Sequence, residues 1–233
     1  MDQIKNLLLL PGLLCDNELW GAQIEALSGS FEITVADMTS HVDMKQLAGS
    51  ILESAPPEFA LAGFSMGGYC ALEIYRQAPE RVKRLALIDT SARADTRQQT
   101  DHREALIDLC REGKMDQVMD HLLPVFVNQA HLGNQSLVDN IRAMAARIGC
   151  KAFVSEQKAI MGRDDKRAML KNITCDTLVL CGSEDQLTLP EFHTELAELI
   201  PGSRLVIVDD SGHFSPMEQP ERVTVEMKCW LLD

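Results

Sequence analysis

Phe59-Ala60-Leu61-Ala62-Gly63-Phe64-Ser65-Met66-Gly67-Gly68-Tyr69-Cys70-Ala71-Leu72-Glu73-Ile74-Tyr75-Arg76 is the stretch on which the fold turns. Its first four residues are a short apolar run of strand type. From Gly68 onward the residues read as a helix, which Pro79 ends. Between strand and helix stands G-x-S-x-G. A turn this sharp crowds the backbone, and glycines two places either side of Ser65 remove the Cβ atoms that would clash. Such a turn holds the Ser65 hydroxyl in the open. It also aims the free N–H groups of a helix start at the same point.

Outward from this stretch, strands are expected at about 6–10, 31–36 and 85–89 as well as 59–64, with helices near 19–28, 44–55 and 67–78. That alternation implies a mostly parallel sheet with helices on both faces. The pattern then changes. From Ala94 to Leu170 no strand is legible, and apolar and charged residues recur at helical spacing. Strands resume at Thr177 and at Arg204. The expected division is a core of residues 1–93 and 171–233, with a small helical cap, 94–170, inserted after the serine-bearing half. Met115, Met119, Leu122, Leu123, Phe126, Met144, Phe153 and Met161 are the cap's notable apolar residues. Methionine and phenylalanine make adaptable walls. Most of these side chains are expected to hold cap helices together and a minority to line a pocket.

A nucleophilic serine needs a base, and the base needs an orienting carboxylate. Of six histidines, His213 lies in Asp210-Ser211-Gly212-His213-Phe214, just past the apolar run Leu205–Val208. Gly212 allows a loop that projects the ring. Asp185 follows the run Thr177–Cys181 through Gly182-Ser183-Glu184. Both lie past the carboxyl ends of strands, where open α/β sheets assemble their sites. Asp89, past the 85–88 run, is a second position for the acid; Glu184 adjoins Asp185 but would point the other way. His41 follows the 31–36 strand and could edge a pocket. The other histidines read as structural or solvated.

The order Ser65, Asp185, His213 is that of the α/β-hydrolase superfamily. The chain resembles its compact bacterial esterases, pimeloyl-carrier-protein methyl ester esterases and enol-lactone hydrolases among them, over nearly its whole length. The resemblance implies an α/β-hydrolase fold and a nucleophile elbow at Ser65. In Leu7-Leu8-Leu9-Leu10-Pro11-Gly12-Leu13-Leu14, proline stands where the family usually has histidine before glycine. The Gly12-Leu13 turn is retained. By this resemblance the oxyanion hole is the N–H of Leu13 and the N–H of Met66, and the activity is hydrolysis of a carboxylic ester through an acyl-serine. No metal or organic cofactor is called for. Enol-lactone, thioester and carbon–carbon hydrolysis would use the same triad, and a non-catalytic ligand-binding relative would keep the same fold.

Composition sets outer bounds. At 233 residues there is room for one large core and a small cap. Lys plus Arg number 22 and Asp plus Glu 35, a net charge of −13. That charge opposes binding to nucleic acid and to anionic membrane surfaces. The expected partner is a small-molecule ester; oligomeric state is not legible. Seven cysteines without C-x-x-C spacing make neither a disulfide framework nor a zinc site, and point to a reducing, cytoplasmic setting. The first six residues lack the basic start of a secretion signal. Leu7–Leu10 is too short to span a membrane. Cys15 and Cys181 read as packing residues, Trp20 as packing beneath the oxyanion loop, and Arg163–Arg167 as a solvated turn. An apolar cap should favour short to medium acyl chains. It should disfavour a free carboxylate unless a cap arginine faces inward, with Arg142 and Arg147 the first candidates.

Overall fold

Leu7 to Leu10 are all buried, and so is every residue from Phe59 to Phe64. A strand that reads as a continuous apolar run is one covered on both faces, so these two segments belong at the middle of a parallel sheet. The computed structural model, which describes residues 4–232, places them there. Six strands, β1 (Asn6–Leu10), β2 (Glu32–Val35), β3 (Phe59–Phe64), β4 (Val82–Ile88), β5 (Asp176–Gly182) and β6 (Arg204–Val208), form one sheet in the order β2-β1-β3-β4-β5-β6. Every neighbouring pair is parallel. The edge strands β2 and β6 alternate exposed and covered positions instead. β4 begins earlier than the apolar run suggested. Lys83 and Arg84 interrupt that run, but Arg84 stays in the strand because its guanidinium reaches Asp176 on β5 and the Trp230 carbonyl.

Helices α1 (Gly21–Leu27), α2 (Met44–Ser54) and α3 (Met66–Gln77) connect the first four strands. The expected helix at 19–28 divides into a 3₁₀ turn, Asn17–Trp20, and α1. Between β4 and β5 come α4 (Arg97–Arg111), α5 (Met115–Phe126) and α6 (Gln135–Met161). Then follow α7 (Pro190–Leu199), α8 (Ser215–Glu218) and α9 (Pro220–Leu232). α2 packs on α3, and α1 packs on α9. β1 has β2 on one side and β3 on the other, so the chain reverses its direction of travel across the sheet there. Right-handed crossovers then put the two helix groups on opposite faces, and ligands bind in the crevice at such a reversal. The Leu13 loop after β1 and the Ser65 turn after β3 both open into it.

The inserted helices differ from expectation in three details. α6 bends at Gly149, whose φ of 73° is a backbone state that glycine adopts readily. Cys110 on α4 is disulfide-bonded to Cys150 on α6, with Cα atoms 5.7 Å apart; the other five cysteines are unpaired. The sequence reading found no framework and so missed this single link, whose partners are 40 residues apart and share no motif. Third, the segment Arg163–Arg167 is only partly a solvated turn. Asp164, Asp165 and Arg167 are open to solvent, but Arg163 is buried and Lys166 reaches the buried Glu73 of α3 at 2.6 Å. Burial pushes the Glu73 carboxyl up, but hydrogen bonds from Arg76, Lys166 and Gln77 outweigh it and bring it to about 2. Among the described residues no helix is long and apolar enough to cross a membrane.

Candidate active site

The strand-to-helix turn is as tight as the glycines imply. A Cβ at Gly63 would sit 2.3 Å from the Gly67 carbonyl oxygen, and one at Gly67 would sit 2.1 Å from the Leu10 oxygen. No side chain fits at either place. Ser65 itself has φ 53° and ψ −115°, a strained state for an L-residue that its neighbours enforce. The strain points Oγ away from the sheet.

His213 meets it there. Ser65 Oγ lies 2.9 Å from His213 Nε2, and His213 Nδ1 lies 2.8 Å from Asp185 Oδ2. Asp185 is fully committed: Oδ1 accepts from the N–H groups of Leu187 (2.8 Å) and Thr188 (2.9 Å), and Oδ2 accepts from Thr188 Oγ1 at 2.7 Å. Burial pushes the Asp185 carboxyl up, but the charge and hydrogen bond of His213, with help from His193 and Thr188, hold it below its ordinary range. The His213 ring is clamped by Phe64, centroids 5.2 Å apart, and by Phe126 of α5 at 6.0 Å. Its loop hangs on Glu218, whose Oε1 accepts from the N–H groups of Gly212 (3.0 Å) and Phe214 (3.1 Å).

Asp89 is buried close by but does other work. It accepts from Gly182 N at 2.9 Å and from Ser215 Oγ, and makes no hydrogen bond with His213. Burial and the nearby Asp185 charge raise its carboxyl well above the ordinary range. Glu184 turns outward to the Ser211 N–H at 3.0 Å. His193 is buried, and burial pulls it down to about 4. Its Nε2 accepts from Thr90 N at 2.8 Å, which leaves Nδ1–H to face the Leu189 carbonyl. His41 bonds Ser40 on an outer loop and does not line the cleft.

The N–H groups of Leu13 and Met66 donate to no other group among the described residues. The loop that carries Leu13 presses on the serine: a Cβ at Gly12 would meet the Phe64 ring at 2.7 Å and Ser65 Cβ at 3.2 Å. Trp20 packs edge-on to Phe64, 6.4 Å between centroids, as a buried support. Glu156 of α6 reaches across from the inserted helices, and its Oε2 accepts from Leu14 N at 3.1 Å. Oε1 has no partner, and burial pushes this carboxyl to about 8. Cys15 and Cys181 are buried thiols whose burial raises them further from ionisation.

A cleft of about 320 Å³ of empty space opens over Ser65 and His213. Leu13, Phe64, Phe126, Ile160, Leu187 and Phe214 make its apolar wall. Arg103 of α4 is its cation. The expected arginines are elsewhere: Arg142 pairs with Asp120, and Arg147 with Asp16, on the outer surface. Among the expected cap residues, Phe126 reaches the cleft. Met119, Leu122, Leu123, Met144 and Phe153 are buried in the hydrophobic core, and Met115 and Met161 pack against it. Arg103 and Glu156 were missed, although a signal existed. Arg103, Leu106, Ile107 and Cys110 share one helical face, as do Phe153, Glu156, Gln157 and Ile160. Among the described residues no cluster of three metal-ligating side chains is present.

These features have relatives. Residues 7–226 match the alpha/beta hydrolase family, and the chain belongs to it. A pimeloyl-[acyl-carrier protein] methyl ester esterase from Legionella pneumophila is 27% identical over 89% of this chain and 87% of its own length. One from Vibrio parahaemolyticus is 20% identical over 98% and 94%. A thermophilic esterase from Thermogutta terrifontis, solved with malate bound, superposes with a TM-score of 0.89 at 28% identity, covering 98% of this chain and 90% of that one. The enol-lactonase from Burkholderia xenovorans LB400 has the same fold, with a TM-score of 0.91 at 24% identity over 99% and 92%. The family agrees with the reading of the sequence as an ester hydrolase.

Proposed function

We propose that Ser65, His213 and Asp185 form a catalytic triad that cleaves a carboxylic ester of a small to medium acyl group. The observation that carries this is the unbroken hydrogen-bond chain from Ser65 Oγ through His213 to Asp185. As Oγ attacks the carbonyl, His213 Nε2 takes its proton. Asp185 holds Nδ1–H and stabilises the imidazolium that forms. The tetrahedral oxyanion is received by the N–H groups of Leu13 and Met66, each worth roughly 2.7–4 kcal/mol of barrier. His213 then protonates the leaving alcohol, and water repeats the attack on the acyl-serine. Asp89 is taken up by the Gly182 N–H and the Ser215 hydroxyl and does not compete for the imidazolium.

Residues 94–170 act in this reading as a cap, and Phe126 and Ile160 press an apolar wall onto the acyl chain. Each methylene that finds contact gains about 0.8 kcal/mol, close to fourfold in specificity. A panel of aryl esters from acetyl to dodecanoyl tests this. kcat/KM should rise over the first few carbons and then fall. A steady rise to the longest chain would contradict a preference for short to medium acyl groups, and turnover of lactones or thioesters in preference to esters would reassign the bond.

A further inference from the structure

Arg103 is held by two groups and offers a third side to the cleft. Its Nε donates to Asp95 Oδ2 at 2.7 Å, and its Nη1 donates to Gln157 Oε1 at 2.8 Å. Nη2 donates to nothing among the described residues, and the side chain keeps 14% of its surface open. Arg103 is one of the residues lining the cleft over Ser65. It is braced at Nε and Nη1, which fixes the plane and direction of the guanidinium.

The charge around it is unbalanced as well. Asp95, almost wholly buried, is shared between Arg103 and Arg163, whose Nη1 reaches Asp95 Oδ1 at 2.6 Å. Arg163 has its own fixtures: the Arg93 and Ile160 carbonyls, and the Tyr69 ring, which lies 4.1 Å beneath its guanidinium and also lines the cleft. Two arginines against one aspartate leave one positive charge beside an otherwise apolar wall. A cation in such a place is costly unless an anion completes it. The planar fork of arginine suits a carboxylate.

We propose that Arg103 binds a carboxylate carried by the substrate at the end remote from the scissile ester, so that the substrate is a short monoester of a dicarboxylic acid. The proposal rests on the reading that Ser65 attacks an ester in this cleft. The Phe126, Ile160 and Phe214 wall takes the methylenes between the two ends. Asp95 and Gln157 act as positioning residues for Arg103, and Arg163 keeps Asp95 from neutralising it.

Methyl pentanoate and monomethyl glutarate have the same length and differ only in a terminal methyl against a terminal carboxylate. The wild-type protein should turn over monomethyl glutarate with a kcat/KM at least tenfold higher. Arg103→Met should reduce the charged-to-neutral ratio at least tenfold, and Arg103→Lys should recover part of it. Loss of Arg103 could unsettle the fold, so the wild type supplies an independent arm. Glutarate should inhibit methyl pentanoate hydrolysis competitively, with an inhibition constant at least tenfold below that of pentanoate. Equal or inverted preference for the neutral ester, or equal inhibition by both acids, overturns the carboxylate site while ester hydrolysis at Ser65 stands. Failure to hydrolyse either ester, or any in the aryl panel, overturns both readings.

Discussion

The carboxyl edge of the sheet and the helices inserted above it are built on different terms. At the sheet edge the polar atoms that face one another are paired. Asp185 accepts three hydrogen bonds besides that of His213, and the loop carrying His213 hangs from Glu218. In the inserted helices buried polar atoms are left over. Glu156 Oε1 and Gln157 Nε2 have no partners there, as Trp20 Nε1 and Gln23 Oε1 have none below the sheet edge, and Arg103 lines the cleft with its Nη2 unpaired among the described residues. A fully satisfied network is rigid, and the reacting atoms need rigidity. A cation held at the cleft lining suits a region that meets a guest. Our account therefore assigns chemistry to the sheet edge and selection to the insertion, and substitutions in the two regions should fail in different ways.

The sheet edge should give the largest losses. Ser65→Ala should lower kcat by on the order of 10⁶-fold and leave the thermal melt close to that of the wild type, because only a hydroxyl is removed. Kinetics with an aryl acetate check this. Asp185→Asn should cost roughly 10³–10⁴-fold in kcat, since the amide favours the wrong tautomer and cannot stabilise the imidazolium. Asp89→Asn keeps the side chain's shape and an acceptor for Gly182 N, and should cost less than about tenfold. A larger kcat loss for Asp89→Asn than for Asp185→Asn would exchange the roles of the two carboxylates.

In the insertion the effects should be smaller and tied to pH. Burial raises the Glu156 carboxyl to about 8 from an ordinary value of 4.5. Between those values the folded chain binds a proton that the unfolded chain has released. This group's contribution to stability therefore falls as pH rises from about 4.5 to 8 and is level above that. Glu156→Gln keeps the acceptor for Leu14 N and removes the titration. Its melting temperature relative to wild type should climb between about pH 5 and pH 8.5. A constant difference would place the unusual carboxyl elsewhere. The smallest effect on turnover belongs to the Cys110–Cys150 link, which lies away from the cleft lining. Thiol titration of the denatured chain should find five free thiols without reductant and seven with it. Seven in both cases would mean that α4 and α6 are held by packing alone.

The same contrast governs what could be read from the sequence. Ser65 was legible because its turn is local: a strand, two glycines at fixed distance and a helix are all contained in eighteen residues. Asp185 and His213 were legible because each sits just past a strand, and the sheet brings strand ends together whatever lies between. Between Asp185 and Asp89 the choice was not local. It depends on which carboxylate faces the ring and which is taken up by Ser215 and Gly182. Charge alone points to Arg142 and Arg147, whereas direction is set by the helical face. Arg103 lies on the buried stripe of α4, and Arg142 and Arg147 on the outer side of α6. The pairing of Cys110 with Cys150 needed the packing of two helices that no short pattern encodes.

The central claim is that Ser65 is the nucleophile, and a covalent label tests it most directly. The native protein should be treated with a fluorophosphonate, digested and mapped by mass spectrometry. The adduct should fall on Ser65 alone, in a peptide containing Gly63–Gly67, and prior incubation with an ester substrate should slow its formation. An adduct on any other residue, or none while ester hydrolysis continues, would contradict the account.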